Sequence, residues 1–398
     1  MKATSASSDS PAVPPLRILA IPGDGIGREV VPAALAVLCA TGLPIDLAHA
    51  EAGWECFQRH GASLPDETLA AAHAADAVLF GAVGSPSFPV PGYRSPIVAL
   101  RRALDLYANI RPTTNDQRPT TDSPAESPFV VRPSSSVDLV VVRENTEGLY
   151  AGRERLEDGG DTAIAERVIT RRASERIVRA AFELARARAQ GLGTRDLGIG
   201  SQAGAQAPSP KPQAARVTIV HKANVLRETC GLFRTTALRV AEEYPDVAVD
   251  EQLVDSAALQ LVQRPGRFDV IVTTNLFGDI LSDVASFWGG GLGMASSANI
   301  GDGHALFEPV HGSAPDIAGK GIANPLAAIG CAAMLLEWSA ERKAQSAAQR
   351  ASLLAWAGRI RAAVRAVLAG DVRTPDLGGV ATTEAVTQAV IAALSHKE

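Results

Sequence analysis

A chain of 398 residues can bury a large core and is long enough for two domains. Its 46% hydrophobic and 20% charged residues are ordinary for a globular protein, and no apolar run approaches the ~20 residues of a membrane span. A net charge of −5 argues against a nucleic-acid binder, and four scattered cysteines without a CxxC pair exclude a disulfide framework or zinc site and fit a reducing compartment.

The first 15 residues read as a disordered leader. They lack the apolar core of a secretory signal, so the expected location is the cytoplasm or the mitochondrial matrix. Leu16 to Ile21 is a short apolar strand. Gly23-Asp24-Gly25-Ile26-Gly27 follows, and a helix then runs to about Gly42. This strand, turn and helix resemble a dinucleotide loop, but GxGxG lacks the third glycine of that fingerprint, so a tight strand-to-helix turn is the better reading. A second strand, Ala77 to Phe80, leads into another glycine-rich turn. Alternating strands and helices predict an α/β fold with a largely parallel sheet.

Leu100 to Tyr107 reads as a helix. Around it stand Arg101, Arg102 and Arg111, and Arg143 follows the strand Val137 to Val142. Arginine forks fit carboxylates bidentately, and ligands collect at the carboxyl ends of strands in open α/β sheets. Arg102 is better read as a surface residue. Residues 113–136 and 191–215 are rich in Pro, Ser, Thr, Gly and Ala and read as surface insertions. Between them, Glu166 to Gln190 reads as one long amphipathic helix whose charges form a solvated face.

Val217 to Val220 is a strand that ends at His221 and Lys222. A lysine held near cations can act as a base. His221 is more often a packed histidine than a ligand. Asp255 opens a helix and is either a cap or a metal carboxylate. Phe268 to Val272 is a buried strand, and the helix after it carries Asp279 and Asp283 one turn apart on one face. Two like charges there repel unless a hard divalent cation lies between them. Leu306 to Lys320 reads as a long irregular stretch, in which Asp316 suits a ribose diol. Apolar helices close the chain around the loop Thr374 to Gly379.

Six segments together resemble one family. They are GDGIG at Gly23–Gly27, LDLYANIRP at Leu104–Pro112, VVRENTEGLY at Val141–Tyr150, HKANVL at His221–Leu226, NLFGDILSD at Asn275–Asp283 and FEPVHGSAPDIAGKGIANP at Phe307–Pro325. They occur in the order found in the β-decarboxylating dehydrogenases, the isocitrate, 3-isopropylmalate, homoisocitrate and tartrate/D-malate enzymes. The resemblance implies two α/β domains sharing a mixed sheet, an isopropylmalate dehydrogenase-like fold rather than a standard Rossmann domain. It places a discontinuous cofactor-binding domain at 16–106 plus 290–398, and a substrate, metal and dimerisation domain at 107–289.

The resemblance also implies roles. Arg101, Arg111 and Arg143 would bind the carboxylates of a small poly-carboxylate substrate, with Ser85 and Val98 against its variable arm. Tyr150 and Lys222 would be the acid–base pair. Asp279 and Asp283 would hold Mg2+ or Mn2+ with Asp255 from a partner chain, which would also supply Lys222 and Asn224. The protein would therefore be a homodimer or a larger homo-oligomer. Glu308, His311, Gly312, Ser313, Ala314, Asp316, Ile317 and Asn324 would bind the coenzyme, and Asp316 with Ile317 matches NAD-dependent members. The AGWE, VPGY and NTEGLY segments look most like homoisocitrate dehydrogenase of lysine synthesis. The alternatives are 3-isopropylmalate dehydrogenase, since Val98 suits an isopropyl group, and NAD-isocitrate dehydrogenase. A non-catalytic regulatory subunit is the alternative of another class.

Overall fold

A computed structural model describes residues 14–88, 90–115, 136–190 and 215–395. Most of the leader and of both predicted insertions lies outside them. The elements of the first third are β1 (Leu16–Gly23), α1 (Gly27–Ala40), β2 (Ile45–His49), α2 (Trp54–His60), α3 (Asp66–Ala74), β3 (Ala77–Ala82) and α4 (Pro96–Ala103). The middle contains β4 (Ala108–Thr114), β5 (Asp138–Glu144), the hairpin β6 (Glu154–Glu157) and β7 (Thr162–Ala165), α5 (Arg171–Ala189), β8 (Arg216–His221) and α6 (Thr229–Ala241). Then come β9 (Ala248–Leu253), α7 (Val254–Gln263), β10 (Val270–Thr273) and α8 (Asn275–Ser286). The last part is β11 (Ser296–Ile300), β12 (Ala305–Pro309), α9 (Leu326–Arg342), α10 (Ala347–Ala369) and α11 (Thr383–Ser395).

Ten strands form one sheet in the order β2-β1-β3-β12-β11-β4-β5-β10-β8-β9. Its two wings are parallel. β2, β1, β3 and β12 make one, and β5, β10, β8 and β9 make the other. The junctions β12–β11, β11–β4 and β4–β5 are antiparallel, so the sheet is mixed, as expected. Parallel wings need helices on both faces, which is why their strands are continuous apolar runs. In β1, Ile18 and Ala20 enter the main core while Leu19 and Ile21 enter a second core on the opposite face. A third core joins β5 to α7 and α8 through Leu139, Val141, Leu261, Leu281 and Trp288.

Several boundaries differ from the sequence reading. The helix expected over Leu100 to Tyr107 ends at Ala103 and the chain turns at Asp105, which has a φ of +46°. The long helix begins at Arg171, where the Thr170 side chain accepts the N–H of Ala173 and so fixes its start. Thr113 and Thr114 belong to β4 rather than to an insertion. Leu306 to Pro309 is strand, not irregular chain, and β11 beside it has no strong apolar signature.

The charges of α5 are not all solvated. The Arg188 side chain is only 8% exposed and donates Nε–H to Asp269 at 2.8 Å, and Asp269 is buried. Asp269 also accepts the backbone N–H of Arg216, so this pair ties α5 to the entries of β8 and β10. Arg188→Met should cost about 3 kcal/mol in urea unfolding, because a buried carboxylate is left unpaired. A loss under ~1 kcal/mol would show that the pair is solvated.

Candidate active site

The site forms at the carboxyl end of β5 and the start of α8, and cross-strand register builds it. Arg143 on β5 lies opposite Asn109 on β4, and Asn109 lies opposite Asn299 on β11. Opposed residues share a face, and Arg111 shares it by the two-residue period of the strand. On that face Arg111 Nε donates to Asn109 Oδ1 at 2.8 Å, and Asn109 Nδ2 donates to Asn299 Oδ1 at 2.9 Å. Asn299 Nδ2 donates to Glu308 Oε1 at 2.8 Å, and that oxygen also accepts from Arg101 at 2.7 Å. A continuous buried polar chain therefore links Arg101 on α4 to Arg111 on the junction strand β4.

The helix α8 comes unusually close to β5. A Cβ on Gly278 would lie 2.6 Å from Arg143 Cβ, so only glycine fits there. Asn275 one turn earlier accepts Nε and Nη2 of Arg143 at 3.0 and 2.7 Å and donates to the carbonyl of Glu147 at 3.0 Å. Arg143 is thereby fixed, and its Nη1 donates to Asp279 Oδ1. Arg111 Nη2 approaches the same oxygen at 3.2 Å, and its Nη1 donates to Ser282 at 2.8 Å and to Asp283 at 3.2 Å. Tyr150 donates its O–H to Asp279 Oδ2 at 2.6 Å, and its ring lies 5.1 Å from the Arg143 guanidinium carbon.

These contacts separate the two aspartates. Burial raises the pKa of Asp279, but Arg143 and Arg111 outweigh it and the net shift is downward. Burial also raises that of Asp283, Arg111 only partly offsets it, and repulsion from Asp279 adds to the rise. Burial and the hydrogen bond to Asp279 raise the Tyr150 phenol, so it stays protonated at neutral pH. Asp279 is the fifth residue of α8 and faces guanidiniums, which excludes the bland reading of a helix N-terminal charge.

The remaining predicted residues lie apart. Lys222 Nζ donates to Asp255 Oδ1 at 2.7 Å beyond β8, beside the exposed Asn224. Asp255 is not the cap of α7, because the capping residue is Leu253. Among the described residues, no three His, Cys, Asp or Glu side chains of this chain are grouped to hold a metal. His221 is buried, accepts the N–H of Ala223 and lies 3.3 Å from Glu251, as a packed histidine would. Arg102 donates to the carbonyl of Tyr150. Ser85 is exposed on the loop after β3, and Val98 is half-buried one turn before Arg101 on α4.

Apart from Glu308 on β12, the coenzyme candidates occupy one loop after that strand. Ser313 accepts the N–H of Ile26 at 2.9 Å, and Gly319 donates its N–H to Glu29 at 2.7 Å, so the GDGIG turn and α1 hold this loop. Ala314 has a φ of +40°, an uncommon strain for a residue with a Cβ. Asp316 and Gly312 are exposed, Ile317 is half-buried, and His311 Nε2 is buried with no hydrogen-bond partner among the described residues. Asn324 donates to Asp376 at 2.9 Å and accepts the N–H of Leu326 at 3.0 Å. Asn109, Asn275, Gly278, Ser282 and Asn299 were missed as site residues. All but Asn299 stand inside the matched segments; Asn299 gave no signal.

The mixed sheet thus gathers arginines, carboxylates and a tyrosine at the end of its central strands. The family model described as isocitrate/isopropylmalate dehydrogenase matches residues 17–194 and 201–393, and the chain belongs to that family. The isocitrate/homoisocitrate dehydrogenase of Thermus thermophilus is 52% identical over 378 residues, which cover 95% of this chain and 98% of that one. The 3-isopropylmalate/3-methylmalate dehydrogenase of Methanocaldococcus jannaschii is 47% identical over 363 residues, or 91% and 94% of the two chains. The solved isocitrate dehydrogenase of Methylococcus capsulatus superposes with a TM-score of 0.79 at 41% identity, covering 96% of this chain and 99% of that one.

The two aspartates should respond oppositely to neutralisation. Asp279→Asn leaves two buried guanidiniums without their shared counter-charge and should lower stability by ~1–2 kcal/mol. Asp283→Asn relieves repulsion and should be neutral or slightly stabilising. Thermal unfolding of both variants without added metal checks this, and equal losses would contradict it.

Proposed function

We propose that the protein catalyses the NAD-dependent oxidative decarboxylation of homoisocitrate to 2-oxoadipate, with Mg2+ or Mn2+, as in lysine synthesis by the α-aminoadipate route. The carrying observation is the cluster of Arg101, Arg111 and Arg143 with Asp279, Asp283, Glu308 and Tyr150. Three guanidiniums face three carboxylates there. The charges balance, so a divalent cation leaves an excess that a di- or tricarboxylate matches. The carboxylate oxygens of Asp279 and Asp283 suit a hard cation, and Asp255 of the partner subunit would complete the set.

A second subunit would dock on exposed apolar side chains of α7 and α8. Leu259 and Val262 on α7, Ile280 on α8 and Phe287 just after it are exposed apolar side chains on two packed helices. The two wings would be the domains: 16–106 with 290–398 for the coenzyme, and 107–289 for substrate, metal and dimerisation. The loop from His311 to Ile317 fits the adenosine end of NAD, with the exposed Asp316 free to accept a ribose diol and to repel a 2′-phosphate.

Once bound, the cation would polarise the hydroxyl-bearing carbon's oxygen and NAD would take the hydride. The chain's own residues do the rest. Arg111 and Arg143 hold the substrate carboxylates. Lys222 of the partner subunit accepts the C2 hydroxyl proton, directly or through water. After CO2 leaves, Tyr150 donates its proton to the enol carbon. Its raised pKa suits an acid that must stay protonated until that step.

A second reading, 3-isopropylmalate, has one observation in its favour: Val98 offers an apolar surface beside Arg101. The names of the two relatives divide between these substrates. NADH formation with Mg2+ and each of homoisocitrate, isocitrate, 3-isopropylmalate and D-malate decides the matter. Homoisocitrate should have the highest kcat/KM, with NAD well above NADP. Another preferred acid rejects the substrate, and no turnover favours a regulatory subunit.

The shared site has its own test. Asp255→Asn and Asp279→Asn should each lose metal-dependent activity. Unfolding and refolding the two together should restore about a quarter of wild-type activity, because half of the re-paired dimers would hold one intact site. No recovery would place each site within one chain.

A further inference from the structure

The segment from Ser85 to Val98 carries both residues proposed to meet the variable arm of the hydroxy acid, yet its described residues have no regular structure before α4. It is held by groups outside the reacting site. Asp24 is almost fully buried, and its carboxylate accepts three backbone N–H groups: Trp54 at 2.7 Å, Gly84 at 2.7 Å and Glu55 at 3.0 Å. A Cβ on Gly53 would lie 2.5 Å from Asp24 Oδ2, so glycine is needed beside this carboxylate. Gly84, immediately before Ser85, is thus tied to the start of α2. Its carbonyl accepts the Tyr93 O–H at 2.9 Å, which closes the loop onto its own base.

Tyr93 is seated by aromatic contacts. Its ring packs edge-on against Trp54 at 5.2 Å and Phe57 at 5.4 Å, and those two stack at 5.7 Å. Ser63 donates its hydroxyl to the Arg94 carbonyl and pins the chain one residue later. The far end of the loop is therefore held by α2 and the turn after it, neither of which carries a proposed substrate residue.

We infer that Tyr93, seated on Trp54 and Phe57 and bonded to the Gly84 carbonyl, is a positioning residue that sets substrate selectivity through the Ser85–Val98 segment, with Asp24 as the anchor at its base. This rests on the reading that the segment faces the variable arm. The coenzyme loop is held instead by the Ile26 N–H and the Glu29 carboxylate.

The test is Tyr93→Phe, which keeps the ring stack and removes one hydrogen bond. A single such bond is worth about 1 kcal/mol, or roughly fivefold. The KM of the preferred acid should rise about fivefold with kcat within twofold, and its kcat/KM ratio to the next-best acid should change. NADH affinity, read by fluorescence titration, should stay the same. Ser63→Ala, which frees the loop at Arg94, should act in the same direction and serves if Tyr93→Phe does not fold. A folded variant with unchanged KM and unchanged ratios across the four acids overturns the inference, as does a loss confined to NADH affinity. If the wild type prefers another acid, the substrate reading fails while this one is still tested, because the ratios refer to the wild type's own preference. If no acid is turned over, calorimetric affinities of the acids for the Mg2+-loaded protein supply the same comparison, and no binding by wild type overturns it.

Discussion

The contact of Asp279 with Arg143 and Arg111 is the constraint on which the rest of the site depends. Guanidiniums buried side by side lose hydration and repel one another; burial lowers the pKa of both, and repulsion from neighbouring arginines adds to the fall. They are tolerable only because α8 delivers a carboxylate between them. That delivery needs the close approach of α8 to β5 permitted by Gly278, and the fixed orientation of Arg143 imposed by Asn275. The same carboxylate orients the Tyr150 phenol. A helix two residues out of register would break all of these contacts together.

The antiparallel junction explains how one site can serve two wings. Here β11 and β4 run against each other, and Asn109 and Asn299 stand directly opposed. Their amides carry hydrogen bonding from Arg111 to Glu308 and so to Arg101. Amides suit this place because each offers a donor and an acceptor without adding charge to a buried interior.

The sequence made the wings legible because strands buried on both faces are apolar runs, and their helices have clear periodicity. The centre was less legible. β11 reads Ser-Ser-Ala-Asn-Ile and β12 ends in Glu308 and Pro309, so neither has a strand's apolar signature, and the second was expected to be irregular. Site residues that are chemically conspicuous, such as Arg143, Asp279 and Asp283, could be singled out by type and spacing, whereas Tyr150 entered only through the family resemblance. Asn275, Gly278 and Asn109 act through distance and orientation, which spacing along one strand or helix does not reveal. The charged face of α5 misled for a related reason: Arg188 looks like its neighbours in sequence, and only the packing of α5 on the sheet buries it.

The first glycine motif shows most clearly how pattern and cause can part. GxGxG suggests a phosphate loop, and the missing third glycine weakens that suggestion. In the fold the glycines answer to protein backbone. A Cβ on Gly27 would lie 2.1 Å from the Pro22 carbonyl oxygen and 2.8 Å from the Ala82 nitrogen. A Cβ on Gly25, where φ is +53°, would lie 2.1 Å from the Ser313 carbonyl oxygen. The turn is thus packed against β3 on one side and the coenzyme loop on the other, with Asp24 reaching to the substrate loop. Its small residues serve close approach of three chain segments, and a glycine needed for that purpose is indistinguishable in sequence from one needed to admit a pyrophosphate. A Cβ at Gly23, Gly25 or Gly27 would strike the chain's own backbone, and that alone is sufficient to require glycine at all three positions.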